Sequence, residues 1–177
     1  MLTLVGRTSQ QQASEGRQHA FTTRVVRGTD IHNLGKLYFE AYDPGVACAS
    51  LSEAIEDIEA SFAGKYGDLW LPASRIALMP GGGLAAAIMT VQRAPWSDVP
   101  DTPFIIEILA DRRFRRQGLA RQLLNESMSA LRHSGHELVG LRVSEANEAA
   151  LALYGQLGFS EWHRPDAAQS GPVTHQQ

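Results

Sequence analysis

The chain has a single cysteine, Cys48, so no internal disulfide can staple it and an apolar core must hold the fold. No apolar run approaches the roughly 18 residues that a membrane helix requires. Residues 1–7 carry too short an apolar patch for a secretory signal. A cytoplasmic protein without membrane association is the expectation. Charge of one sign is also scarce: 16 Lys+Arg against 19 Asp+Glu leave a net charge of −3, with no general pull toward nucleic acid. The six histidines and the lone cysteine never fall at metal-ligand spacing, so no metal site is expected. Gly81-Gly-Gly83 has no Lys-Ser/Thr after it and reads as a turn, not a phosphate loop.

What is present suits one globular domain: 177 residues, 44% hydrophobic and 20% charged. Residues 1–19, rich in Gln, Ser, Arg and Gly from residue 7 onward, read as a flexible leader. Residues 20–163 read as a single domain and 164–177 as a polar tail. β-branched enrichment predicts a strand near 21–27. Thr29-Asp30 then starts a helix with Ile31, Leu34, Leu37 and Tyr38 on one face. Ser50-Leu-Ser-Glu53 is a capping-box pattern ahead of a second helix carrying Ile55, Ile58 and Phe62. Apolar runs at 75–79 and 84–91, joined by Pro80-Gly-Gly-Gly83, predict an antiparallel hairpin. A strand over 104–110, a helix over 117–134, a strand over 138–143, a helix over 147–157 and a short strand at 159–163 complete the order βααβββαβαβ. This predicts an α/β (α+β) fold around a mainly antiparallel sheet. One pair is parallel, where the 117–134 helix crosses over.

Residues 104–120 carry the strongest functional signal: an apolar strand breaks into the basic turn Arg112-Arg-Phe-Arg-Arg116, which opens into a helix. Such a junction aims unpaired N–H groups at one point, at the positive end of a helix dipole. Gly118 and Ala120 let a phosphate approach the main chain, and Arg115 and Arg116 add charge. The amides from about Phe114 to Ala120 therefore read as a diphosphate cradle. Arg112, Arg113 and Arg121 read either as contacts to a further phosphate or as solvated charge. An Arg-Phe-Arg cluster also admits nucleic-acid binding, but no second basic stripe accompanies it, and no nucleic-acid partner is expected. Glu107 interrupts the apolar strand, where a carboxylate is costly to bury without purpose. Strict alternation puts it on one face with Ile105 and Leu109. It reads either as a base or substrate contact for an alkyl ammonium of pKa about 10, or as a structural charge.

Two segments resemble the signature of the GNAT family of acyl-CoA-dependent N-acyltransferases: Arg115-Arg-Gln-Gly118-Leu-Ala120, and Asn147-Glu-Ala-Ala150-Leu-Ala-Leu153-Tyr154 with Gly158-Phe159. The resemblance implies a mixed sheet with a V-shaped splay between the strands at 104–110 and 138–143, and helices on both faces. It implies acetyl-CoA as co-substrate, no metal, and direct attack by a primary amine within a ternary complex. Cofactor contacts then fall on Ile108, Leu109, Ala110, Arg115, Arg116, Gln117, Gly118, Leu119, Ala120, Arg121 and Asn147. Among these, an N–H near Ile108 or Leu109 serves the thioester oxygen. The Asn147 amide serves the pantetheine arm, and it equally suits a helix N-cap. Tyr154 is the implied acid for the departing thiolate; otherwise it is a packed aromatic on its helix.

The acceptor stays open among a small-molecule amine, a peptide N-terminus and a protein lysine. Its implied pocket lies between the first two helices, the 95–103 loop and the 104–110 strand. Tyr38, Tyr42, Trp70 and Trp96 are candidates for its lining or for the core. The chain after Phe159 is short for the closing strands that the family implies. Either 171–175 or a partner chain is expected to supply the last one, and an exposed edge there favours a homodimer. The rival readings are a non-catalytic acyl-CoA sensor on the same fold and a nucleic-acid module.

Overall fold

The computed structural model describes residues 1–9, 21–42 and 47–164. Its strands are β1 (Leu2–Arg7), β2 (Thr22–Val25), β3 (Arg75–Leu78), β4 (Leu84–Val91), β5 (Phe104–Ala110), β6 (Leu138–Val143) and β7 (Ser160–Glu161). They form one open sheet in the order β2-β3-β4-β5-β6-β1-β7, antiparallel throughout except for the β5–β6 pair. Helices α1 (Ile31–Ala41) and α2 (Leu51–Phe62) pack on one face, α3 (Leu119–His133) and α4 (Glu148–Gln156) on the other. This is the mixed, two-faced architecture that the sequence predicts. Among the described residues no helix is long and apolar enough to cross a membrane.

The helices follow from local chemistry. Ser50 Oγ accepts the Glu53 N–H at 3.2 Å, the first half of the capping box, which starts α2; the Glu53 carboxylate reaches one residue past the cap to the Ala49 N–H at 2.8 Å. On α3 the stripe Leu123, Leu124, Met128 and Leu131 is fully buried, a gain of roughly 1.5–3 kcal/mol for each side chain. Helices α1 and α2 touch at Gly35, where a Cβ would lie 2.7 Å from the Ile55 Cα. Gly35→Ala is therefore expected to destabilise despite the better helix propensity of alanine, by ~2 kcal/mol, lowering Tm by ~4–8 °C. A melting curve equal to or above wild type would contradict that close approach.

The leading residues correct the sequence reading. Leu2–Arg7, expected as the start of a flexible leader, form β1, which inserts between β6 and β7. Leu4 is buried, and Gly6 lets the Phe159 ring lie against the strand, where a Cβ would sit 2.8 Å from it. So short a strand draws its stability from distant neighbours, which no local pattern reports. The expectation that 171–175 or a partner chain supplies a last strand falls on residues that, like 10–20 of the leader and the rest of the tail from 165 on, lie outside the described residues.

β5 and β6 pair only at Phe104↔Gly140 and Ile105↔Leu141, then diverge. Gly140 has no side chain, and the Phe104 ring fills that space, 2.7 Å from where a Cβ would be. Just beyond, β5 bulges: Met89 opposes Glu107 while Thr90 opposes Ile105, which leaves Ile106 extra. A bulge adds twist and bends its strand, here away from β6. It also overturns the face predicted for Glu107. Ile105 packs into the α3/α4 core, whereas Leu109 packs into the α1/α2 core, and Glu107 sides with Leu109, beside Tyr42. Alternation inverts across an inserted residue.

Candidate active site

β5 runs into a 3₁₀ turn, Arg112–Phe114, capped by Asp111. The Asp111 carboxylate accepts the Arg113 N–H at 2.8 Å and its guanidinium at 2.7 Å. That hydrogen bonding holds the carboxyl below its ordinary range against the opposing effect of burial. The chain then turns left-handed at Arg116 (φ 64°) and at Gly118 (φ 82°) before α3 begins. Left-handed residues on either side of Gln117 swing successive N–H groups to one side, a nest suited to an anion. Among the described residues no acceptor meets the N–H groups of residues 116–121. The first helical bond from this end runs from Gln122 N–H to Gly118 C=O at 2.9 Å. A Cβ on Gly118 would meet nothing within 4 Å, so the space above the nest is open.

This turn borders a groove of about 660 Å³ whose lining includes Ile108, Ala110, Gly118, Ala120, Asn147 and Tyr154. Asn147 caps α4, its Oδ1 accepting the Ala150 N–H at 3.1 Å, which leaves the amide nitrogen as a donor. Ladder parity decides which β5 amides face the groove. Asp111 N–H donates to Ala85 C=O at 2.9 Å. Alternation turns the main-chain groups of Leu109 and Glu107 to β4 as well, and those of Ile108 and Ala110 into the gap left by β6.

A second cavity, of about 550 Å³, shares Ile108, Asn147 and Tyr154 with the first. Those residues stand where the two cavities meet. The second adds Tyr38, Tyr42, Trp96, Glu107 and Arg142. Glu107 is half-buried in its wall. Burial pushes its carboxyl up to about 7, opposed by a hydrogen bond from Tyr42 Oη to Oε2 at 3.4 Å and reinforced by the charge of Asp57. Burial, and then the charge of Glu107, pushes the Tyr154 phenol up to about 12. The same causes raise Tyr38 and Tyr42 well above the ordinary phenol range. Tyr154 is 7% exposed and packs against Phe159 with ring centroids 5.7 Å apart. Among the described residues its hydroxyl has no hydrogen-bond partner. A carboxyl raised toward neutrality and a phenol that keeps its proton thus line the same cavity.

The sequence pattern that defines the acetyltransferase (GNAT) family matches residues 52–159. The chain belongs to the GNAT family. A [ribosomal protein bS18]-alanine N-acetyltransferase of Escherichia coli (strain K12) is 34% identical over 103 residues, 58% of this chain and 64% of that protein. The match thus spans just under two thirds of that relative's length. The crystal structure of the ribosomal-protein-S18-alanine N-acetyltransferase from Escherichia coli aligns with TM-score 0.60 at 26% identity, over 81% of this chain and 79% of that one. An aminoglycoside N-acetyltransferase, AAC(6')-Iy, in complex with CoA has the same fold at TM-score 0.62 and 20% identity, over 85% of this chain and 94% of that one.

Within this GNAT domain most of the sequence-predicted residues come together. Ile108, Ala110, Arg115, Arg116, Gly118, Leu119, Ala120, Arg121, Asn147 and Tyr154 line the groove. Leu119 offers it main chain, since its side chain is buried in the core. Gln117 adds its N–H to the nest, while its side chain folds back to the Arg113 carbonyl at 3.3 Å. Leu109 is not brought to the groove: its side chain is buried against α1 and α2, and its main chain faces β4. Most of the arginines are engaged within the molecule. Arg112 donates to the carbonyls of Glu40 and Tyr42, Arg115 to that of Ala41, Arg113 to Asp111 and Arg121 to Gln156. Tyr38, Tyr42 and Trp96 line the second cavity, whereas Trp70 packs on the core and against His136, 4.6 Å away. The cradle expected from Phe114 onward starts later: the Phe114 N–H donates to the Asp111 carbonyl at 2.9 Å and the Arg115 N–H to that of Arg112 at 3.5 Å, although Phe114 itself lines the groove. The sequence reading does not single out Arg142 as a lining residue, because one arginine in a strand carries no spacing signal.

Proposed function

We propose that this chain is an acetyl-CoA-dependent N-acetyltransferase that passes the acetyl group directly to a primary amine held in the second cavity. The junction carries the reading: Ile108, Asn147 and Tyr154 line both cavities, so a thioester in one meets an amine in the other. The donors fit the co-substrate. The N–H groups of residues 116–121, with the Arg116 guanidinium, take the diphosphate. The Asn147 amide nitrogen donates to the pantetheine arm, and the Ile108 N–H receives the charge that builds on the carbonyl oxygen. Acetyl-CoA supplies the acyl group already activated as a thioester.

Glu107 takes the proton of the acceptor ammonium, directly or through a water; the freed amine then bonds to the acyl carbon as the carbon–sulfur bond breaks, and its remaining excess proton passes to the departing thiolate, directly or through water. Tyr154 donates to the departing sulfur. Full transfer from a phenol at about 12 to a thiolate of pKa about 8.5 runs uphill, so its main effect is a hydrogen bond to sulfur in the transition state. The acceptor is a small-molecule or peptide amine. The relative named [ribosomal protein bS18]-alanine N-acetyltransferase supports a peptide amine first.

The test is thiol release from acetyl-CoA against a panel of short peptides and small amines. The rate is expected to rise as pH passes about 7, where Glu107 loses its proton, and this limb is expected to vanish in Glu107→Gln. A limb that survives in Glu107→Gln removes Glu107 as the base. No CoA binding by calorimetry ends the reading, and CoA binding without turnover on any amine makes the chain a CoA sensor instead.

A further inference from the structure

We propose that Tyr42 is a positioning residue that holds the Glu107 carboxylate in the acceptor cavity, and that Arg112 and Arg115 of the cofactor turn hold Tyr42 in place. The inference rests on Glu107 being the base. Tyr42 is where the chain leaves α1, with extended backbone (φ −98°, ψ 161°). The last carbonyls of a helix lack intrahelical partners and favour cations. Here Arg112 Nε donates to the Glu40 carbonyl at 3.0 Å, its terminal nitrogen to the Tyr42 carbonyl at 2.6 Å, and Arg115 to the Ala41 carbonyl between them. The end of α1 is thus set by the turn that forms the diphosphate nest.

From that anchored end the Tyr42 ring stands edge-on to Tyr38, centroids 5.4 Å apart at 80°, and its hydroxyl reaches Glu107 Oε2 at 3.4 Å. The bulge at Ile106 is what brings Glu107 to this side. The groups around the carboxylate offer it little else. Tyr38 of α1 and Tyr154 of α4 are phenols, and Asp57 of α2 is a like charge. On β6, Arg142 borders the cavity but is engaged by Asp98 at 2.5 Å and by the Trp96 ring at 5.0 Å. The Met1 ammonium, at the cavity edge, pairs with Glu145 at 3.0 Å. Among the described residues Tyr42 is the one hydrogen-bond donor to Glu107. Of the influences on this carboxyl, only that bond favours the ionised form, while burial and Asp57 oppose it.

An NMR titration of the carboxyls in the full chain, with labelled glutamate and Glu107→Gln for assignment, tests the proposal without any acceptor. In Tyr42→Phe, which keeps the ring, the Glu107 midpoint is expected to rise by at least about half a unit. Arg112→Met is expected to raise it in the same direction by less. An unmoved midpoint in folded Tyr42→Phe overturns the proposal. A rise in Tyr42→Phe with none in Arg112→Met overturns the hold by the cofactor turn. With an active acceptor the rate limb near neutrality is expected to shift with the midpoint. Failure of the base reading shows separately, as full activity in Glu107→Gln.

Discussion

Tyr154→Phe is expected to lower kcat by about 10- to 100-fold while the acetyl-CoA KM stays within about twofold, the value of one hydrogen bond to a charged sulfur made in the transition state. The substitution is clean for a structural reason. Phenylalanine keeps the ring that packs against Phe159, and among the described residues the lost hydroxyl has no partner to be orphaned. Thermal stability should therefore stay level or rise slightly. Steady-state kinetics at saturating acetyl-CoA, with a melting curve as the folding control, separate the two readings of this tyrosine. A packed aromatic would give unchanged kcat.

The second large effect concerns the diphosphate nest, and the two ends of α3 provide a matched control. Gly118 precedes the helix at φ +82° and Gly135 follows it at φ +86°, and a Cβ on either would meet nothing within 4 Å. Alanine at either position is forced into left-handed backbone at a cost of roughly 1–2 kcal/mol, so both variants are expected to melt at similarly reduced temperatures. Their cofactor affinity should differ. Gly118 belongs to the nest whose N–H groups have no acceptor among the described residues. On the proposed function, a methyl there enters the space assigned to the diphosphate and tilts those groups. Calorimetry is expected to show the acetyl-CoA Kd rising at least ~30-fold, or ~2 kcal/mol, in Gly118→Ala and moving less than ~2-fold in Gly135→Ala. Equal affinities in the two variants would place the diphosphate elsewhere.

The nest, Asn147 and Tyr154 are legible in the sequence because each depends on neighbours along the chain. A strand–turn–helix junction exposes consecutive N–H groups whatever surrounds it, and the N-cap bond of Asn147 spans three residues to Ala150. The apolar stripes of α1, α2 and α3 are local in the same sense, and they give the helical layers correctly. Other features have no local signature. β1 is six residues long and pairs with residues 138–143, so the short apolar patch at residues 2–5 does not by itself mark a strand ahead of the polar stretch that follows. Tyr42 and Glu107 are 65 residues apart and meet only after α1 has docked on the sheet.

The chain alone determined the strand–turn–helix junction with its unpaired N–H groups, the placing of Asn147 and Tyr154 on the helix beyond it, the helical faces and the mixed sheet. Only the tertiary structure decided which side of the sheet Glu107 occupies, which of Ile108 and Leu109 turns its N–H into the splay, and which strand lies beside β6. Each of these is a matter of register between segments distant in sequence. In a sheet of period two, the single extra residue at Ile106 inverts the outcome.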